Sequence, residues 1–183
     1  MSLICVGSMA YDAIETPFGK RERIVGGSAV YVAYAASNFV KPVNLVSIIG
    51  NDFDEAEIKA LEAKGVSFDG VERVKDKKSF FWSGRYHLDM NTRDSLVTDL
   101  NVLADFNPMI PESFQDSEFL MLGNLHPATQ ISVIRQMKTR ARLIAMDTMN
   151  YWISSALEDL KLVLGMVDLL MVNDGEAREL TGE

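Results

Sequence analysis

Carboxylates and amides, rather than histidines or cysteines, are the residues of this sequence whose placement could do chemistry. They occur in five polar sets, each just behind an apolar run: Ser8 with Asp12, Asn51 with Asp52, Asn124, Asp147 with Asn150, and Asn173 with Glu176. Such side chains accept hydrogen bonds from hydroxyl groups and suit the water shell of hydrated Mg²⁺. Any one set alone is more often a turn former or a helix cap than a ligand-binding group. Asn173 and Glu176, three residues apart, can face one point beyond a strand or close into a capping box. In "VGGSAVYVA", Gly26 and Gly27 precede a helix-compatible run. Two glycines there let the backbone approach a ligand, and free amides at a helix start suit oxygen atoms; a tight turn is an equally good account.

The five sets act together only if the fold brings them to one edge. "LICVGS", "VNLVSIIG", "EFLMLG", "RLIAMD" and "VDLLMVN" read as short buried strands. Between them, "GGSAVYVAYAASNF", "NDFDEAEIKALEAKG", "PATQISVIRQMKT" and "SSALEDLKLVLG" read as helices. Asp52 can cap the second of these, with Asp54 and Glu55 near its positive end and Gly65 at its stop; Pro127 suits the first turn of the third. Apolar runs alternating with amphipathic helices imply βαβ units, hence an α/β fold with a mainly parallel sheet covered on both faces. In open sheets of this kind ligands collect beyond the carboxyl ends of the strands, where all five sets fall.

From Gly70 to Leu100 the helical rhythm stops. "SFFWSGRYHL" alternates, with Phe80, Trp82, Gly84 and Tyr86 on one side and Phe81, Ser83, Arg85 and His87 on the other. "DMNTRD" is turn-rich and "SLVTDL" can return antiparallel. This is a small sheet set apart: an edge hairpin, or a lid whose aromatic side covers a ligand or another subunit.

The chain of 183 residues has one domain's length, and 48% hydrophobic residues supply a core. A net charge of -8 argues against nucleic acid or an anionic membrane as partner. The single cysteine, Cys5, lies in an apolar run, as a buried thiol in a reducing, cytoplasmic setting would. No apolar stretch reaches membrane-spanning length, and "MSLICVGS" lacks the basic start of a signal peptide. The two histidines, His87 and His126, lie far apart without ligand-spaced partners, so no residue is expected to bind a metal directly. Gly-x-Gly-x-x-Gly spacing and a Walker lysine are both absent after the di-glycine.

Taken in order, "GSMAYD", "GGSAVYVAYAAS", "IIGNDF", the hairpin insertion, "DTMNYW" and "NDGEARELTG" resemble the ribokinase-like carbohydrate kinases of the phosphofructokinase B type. The resemblance implies a Rossmann-like parallel sheet flanked by helices, a β-sheet lid, and ATP-dependent phosphorylation of a sugar or nucleoside hydroxyl. By the same resemblance Asp12 holds substrate hydroxyls, and Gly26 and Gly27 let the substrate reach the backbone. Tyr31 falls where many members carry a sugar-binding Asn, Asn51 belongs to the glycine-x-aspartate stretch, and Asn124 meets the substrate at a strand end. Asp147, Asn150, Asn173 and Glu176 fall on the side that organises phosphates and Mg²⁺. The lid is expected over residues 70–100, with 13–24 as a further piece, and a homodimer through it is implied.

The family's Gly-Ala-Gly-Asp motif, which carries the catalytic base and an anion hole, does not occur in the sequence. The expectation is therefore that residues 1–183 are the N-terminal part of a sugar kinase, with the sugar side but no catalytic residue and no ATP-binding part. A non-catalytic module for sugars or nucleosides is the alternative, and a nucleoside kinase another. An unrelated nucleotide-dependent oxidoreductase is disfavoured by the missing dinucleotide fingerprint.

Overall fold

A computed structural model describes residues 1–182; Glu183, the last residue of the expected domain, lies outside the described residues. Six strands form an entirely parallel sheet in the order β10-β9-β8-β1-β4-β5. They are β1 (Leu3–Val6), β4 (Val43–Gly50), β5 (Val66–Val74), β8 (Phe119–Leu122), β9 (Leu143–Asp147) and β10 (Leu169–Met171). Helices α1 (Ser28–Ala36), α2 (Glu55–Glu62), α3 (Pro127–Gln136), α4 (Asn150–Ser155), α5 (Leu157–Leu164) and α6 (Asp174–Thr181) complete the layers. None of the described helices is long and apolar enough to cross a membrane.

The central strands are continuous apolar runs because both faces of the sheet are packed. In β1, Ile4 and Val6 join Leu120, Leu122, Ile144 and Met146 in one core with α3 and α5. Cys5, between them, joins Leu45 and Met121 in the other, against Ala29, Val30 and Ala33 of α1. Cover on the α1 side stops short of the β10 edge. Leu143, Leu169 and Met171 remain 40–46% exposed there, so the expectation of a sheet covered throughout holds for its centre and not for this end.

A second sheet of four strands, in the order β3-β2-β6-β7, stands over one end of the first. It comprises β2 (Ala10–Thr16), β3 (Gly19–Gly26), β6 (Phe80–Tyr86) and β7 (Arg93–Asp99). Residues 13–24 thus lie inside it. The insertion begins later than Gly70, because Gly70 to Val74 pair with β4 in the large sheet. The expected two-stranded hairpin is also wider: β6 pairs in parallel with β2 as well as antiparallel with β7. The Asp that caps α2 is Asp54, whose side chain accepts from Ala56 N at 2.8 Å, and not Asp52.

Trp82 donates from Nε1 to Ser95 Oγ at 3.1 Å and lies over Gly84 of its own strand. Phe80, Trp82 and Tyr86 are half-buried; the exposed large apolar residues of the strands are Leu96 and Val97 of β7, with Phe18, Leu88, Met90 and Leu100 exposed in the segments beside them.

Candidate functional site

The chain winds from β1 to β4 and β5, then returns to β8 on the other side of β1. A reversal of this kind opens a crevice beyond the strand ends. Gly7 and Gly123 end β1 and β8 and both receive the side chain of Ser28, which a Cβ on either glycine would strike. Ser8 and Ser28 exchange bonds at 3.2 Å, each hydroxyl accepting the other's backbone N–H, and Ala29 N donates to Ser8 O at 3.0 Å. The first two amides of α1 are thus engaged by Ser8, which favours the tight turn of the two accounts the sequence left open. Gly27 has φ +95°, the left-handed region, and lies against the Ser8 backbone where a side chain would not fit.

Asp12 leaves β2 with its carboxyl over Gly26, so a Cβ at Gly26 would collide with it. Among the described residues Asp12 enters no ion pair, and burial raises its carboxyl to about 6. Tyr31, on the exposed side of α1, is raised by its own partial burial and then by the charge of Asp12 and by Tyr86 of β6. A carboxylate and two phenols from β2, α1 and β6 therefore share one neighbourhood.

Beside it lies a cavity of about 480 Å³, lined among others by Ser28, Tyr31, Asp147, Thr148, Asn173 and Glu176. Asn173 caps α6: its Oδ1 accepts from Glu176 N at 2.8 Å, and Asn173 N donates to Glu176 Oε2 at 3.0 Å. The capping box is real, and it occupies only one oxygen of a buried Glu176. Burial, and after it the charge of Glu176, raises Asp147 to about 7. Asp147 Oδ1 and Thr148 Oγ1 are buried without a hydrogen-bond partner, as is Oε1 of the fully buried Gln130. Gln130 Nε2 donates to Gly123 O at 3.0 Å and Asp147 O at 3.1 Å, tying the ends of β8 and β9 together.

Other anticipated residues do not join this group. Asn124 spends its amide on α4, accepting from Trp152 Nε1 at 2.9 Å and donating to Met149 Sδ at 3.1 Å. Asn150 is exposed and donates to Glu179 of α6. Asn51 is exposed, with its backbone N–H on Lys77 O at the lid root. None of these three lines the cavity. Three residues were not singled out from the sequence: Ser28, Thr148 and Gln130. A polar residue on the packed side of "PATQISVIRQ" was the available signal for Gln130, and adjacency to Asp147 for Thr148.

The smaller sheet also reaches this edge. At its far turn Asn91 Nδ2 donates to Asp174 Oδ1 at the start of α6, at 3.3 Å. Among the described residues no group of three or more His, Cys, Asp or Glu could hold a metal ion.

The family model of the pfkB family carbohydrate kinases matches residues 1–183. A cytidine kinase from Thermococcus kodakarensis is 24% identical over 184 residues, covering 100% of this chain and 65% of its own length. A nucleoside kinase of Burkholderia thailandensis in complex with inosine superposes with TM-score 0.73 at 18% identity, over 100% of this chain and 63% of that one. A fructokinase of Halothermothrix orenii gives TM-score 0.74 at 16% identity, over 100% and 71%. The chain thus spans just under two thirds of the length of the cytidine kinase and the nucleoside kinase it matches.

Proposed function

The chain belongs to the pfkB family of carbohydrate kinases, and on that premise we propose that the whole protein transfers a phosphoryl group from ATP to a sugar hydroxyl. One observation carries the reading: Asp12, on strand β2 of the lid, and Asp147, at the end of β9, are half-buried without an ion-pair partner among the described residues. Unpaired buried carboxylates cost stability, and hydroxyl donors or a cation relieve that cost. Asp12 accepts from substrate hydroxyls, Gly26 and Gly27 let the sugar reach the backbone, and Tyr31 borders it. Asp147 and Glu176 face the phosphates, with Asn173 holding Glu176 in place.

The donor set fits Mg²⁺ held through water and substrate phosphates, since that ion binds through one or two carboxylates and keeps several waters. The orphaned Asp147 Oδ1 and the second oxygen of Glu176 are the atoms that would meet its water shell. When bound, the ion neutralises charge on the transferring phosphoryl group. The chain's own part is to bind and orient the acceptor and to exclude water beneath the lid.

Residues 1–183 contain no Gly-Ala-Gly-Asp, so by themselves they should bind the acceptor without transferring phosphate. Phosphotransfer assays on homogeneous chain and on the whole protein, with contaminating ATPase excluded, test this. Turnover by residues 1–183 would overturn the division, and its absence in the whole protein the kinase reading.

A second reading, a nucleoside acceptor, is favoured by Tyr31 and Tyr86 beside Asp12, since aromatic side chains near the carboxylate suit stacking on a base. Calorimetry with ribose, fructose, cytidine and inosine separates the two. The lid is also the expected homodimer contact, through Leu96, Val97 and Leu100 rather than Trp82. Light scattering of Leu96→Ser over a concentration series tests it; an unchanged dimer would put the contact elsewhere.

A further inference from the structure

Asp52 matches the glycine-x-aspartate stretch of the family and could be read as part of the ligand site or as a helix cap. Its contacts say otherwise. Asp52 Oδ1 accepts from Ser79 N at 2.7 Å, where the chain enters β6. Its Oδ2 accepts from Arg23 Nη2 of β3 at 3.3 Å, and its backbone O accepts from the same nitrogen at 3.1 Å. Tyr11 of β2 donates its hydroxyl to Asp52 O at 3.2 Å and accepts from Asp54 N at 2.8 Å. The Arg23 guanidinium sits 3.7 Å above the Tyr11 ring. One loop between β4 and α2 thus grips the roots of three of the four lid strands. Ser79 is held again from both sides, accepting from Gly50 N at 3.0 Å through Oγ and from Asn101 Nδ2 at 2.9 Å through its carbonyl. At the far end the lid rests on the exposed Asn91–Asp174 bond.

We propose that Asp52 is a positioning residue that sets the angle of the lid over the strand-end site and reaches the ligand only through the lid. The inference rests on the smaller sheet acting as the lid of the proposed kinase site. A carboxylate suits the task because it accepts from two directions at once, a backbone N–H on one oxygen and a guanidinium on the other. Tyr11 adds a ring that supports the guanidinium and a hydroxyl that bridges Asp52 to Asp54. The lid is therefore stiff at its root and lightly tied at its tip.

Hydrogen exchange read by mass spectrometry tests this on the full chain without any ligand. In Asp52→Ala, peptides from β6 and β7 should exchange at least about tenfold faster than in the parent chain, while peptides from β1 and β8 keep their protection. Asp52→Asn keeps an acceptor for Ser79 N and loses the charge facing Arg23, so it should fall between. Tyr11→Phe, which keeps the ring, should loosen the lid less than Asp52→Ala. Equal acceleration of lid and sheet peptides would make Asp52 an ordinary stabilising residue and overturn the proposal, as would unchanged lid peptides. If Asp52→Ala does not fold, Asp52→Asn and Tyr11→Phe carry the same comparison. The kinase reading is judged separately by sugar and nucleoside calorimetry on the parent chain: no binding there would sink that reading and leave the exchange result standing.

Discussion

The lid root and the strand-end site use the same kinds of residue at the same edge of the sheet, yet treat them oppositely. At the root, the side-chain polar atoms of Asp52, Tyr11 and Ser79 have partners, and Arg23 is engaged through Nη2. In the site, Asp12 has no ion-pair partner among the described residues, and Asp147 Oδ1 and Thr148 Oγ1 are buried with no hydrogen-bond partner at all. Buried polar groups are nearly always satisfied, because each unsatisfied one costs roughly 1–3 kcal/mol. The root therefore reads as structure, and the site as surface held ready for a ligand. Saturation of hydrogen bonds, more than residue type, separates the two.

The sharpest break of that contrast is Asp12→Asn in the whole protein. The carboxylate accepts charge-assisted bonds of roughly 1.5–3 kcal/mol each, so losing the charge at constant shape should weaken acceptor binding by about ten- to a hundredfold. Affinity for ATP should not move. Parallel loss of both affinities, or a lowered Tm, would transfer Asp12 to the structural side of the comparison.

Glu176 stands on the boundary, since one oxygen caps α6 and the other faces the site. Gln can replace Glu in a capping box, so Glu176→Gln should leave Tm nearly unchanged. It should lower kcat by about tenfold and shift the Mg²⁺ concentration at half-maximal rate, by removing charge beside the phosphates. A lower Tm with an unaltered Mg²⁺ titration would leave Glu176 as a helix cap and nothing more.

Local patterns carried the large sheet and failed at long range. The central strands and four of the helices are readable because burial on both faces writes itself as unbroken apolar runs. That β2 lies against β6 is not readable, because Ala10 meets Phe80 across most of the first half of the chain and either strand alternates just as well at an edge. Gly70 to Val74 failed for a related reason: period two tells which side chains share a face, not which strand is the neighbour. Asp52 and Asp54 both fit a cap two residues apart, and only the Ser79 and Arg23 contacts separate them. Asn173 and Glu176 were ambiguous in the sequence because box and metal shell require the same spacing, and in the structure the box uses only part of Glu176.

The smallest effect is the most direct probe of an unsatisfied group. Asp147 is raised to about 7, by burial first and by Glu176 second. An unfolded aspartate titrates near 4. Between about pH 4 and about pH 7 the folded chain therefore holds a proton that the unfolded chain has released, and stability falls as pH rises through that window. Asn carries no charge at any pH, so Asp147→Asn should remove this slope. Near pH 4 the two chains should melt together. At pH 7.5 the substituted chain should be the more stable by of order 1–2 kcal/mol, a gain of a few degrees in Tm, once the part of the carboxylate still meeting water is discounted. A shallower slope ending near pH 6 should survive, because Asp12 is raised to about 6 in the same direction. Thermal melts of both chains from pH 4 to 8, without added cation, measure this. A lower Tm for Asp147→Asn at pH 7.5 would mean that the carboxylate is satisfied in the folded chain, and the contrast between site and root would fall with it.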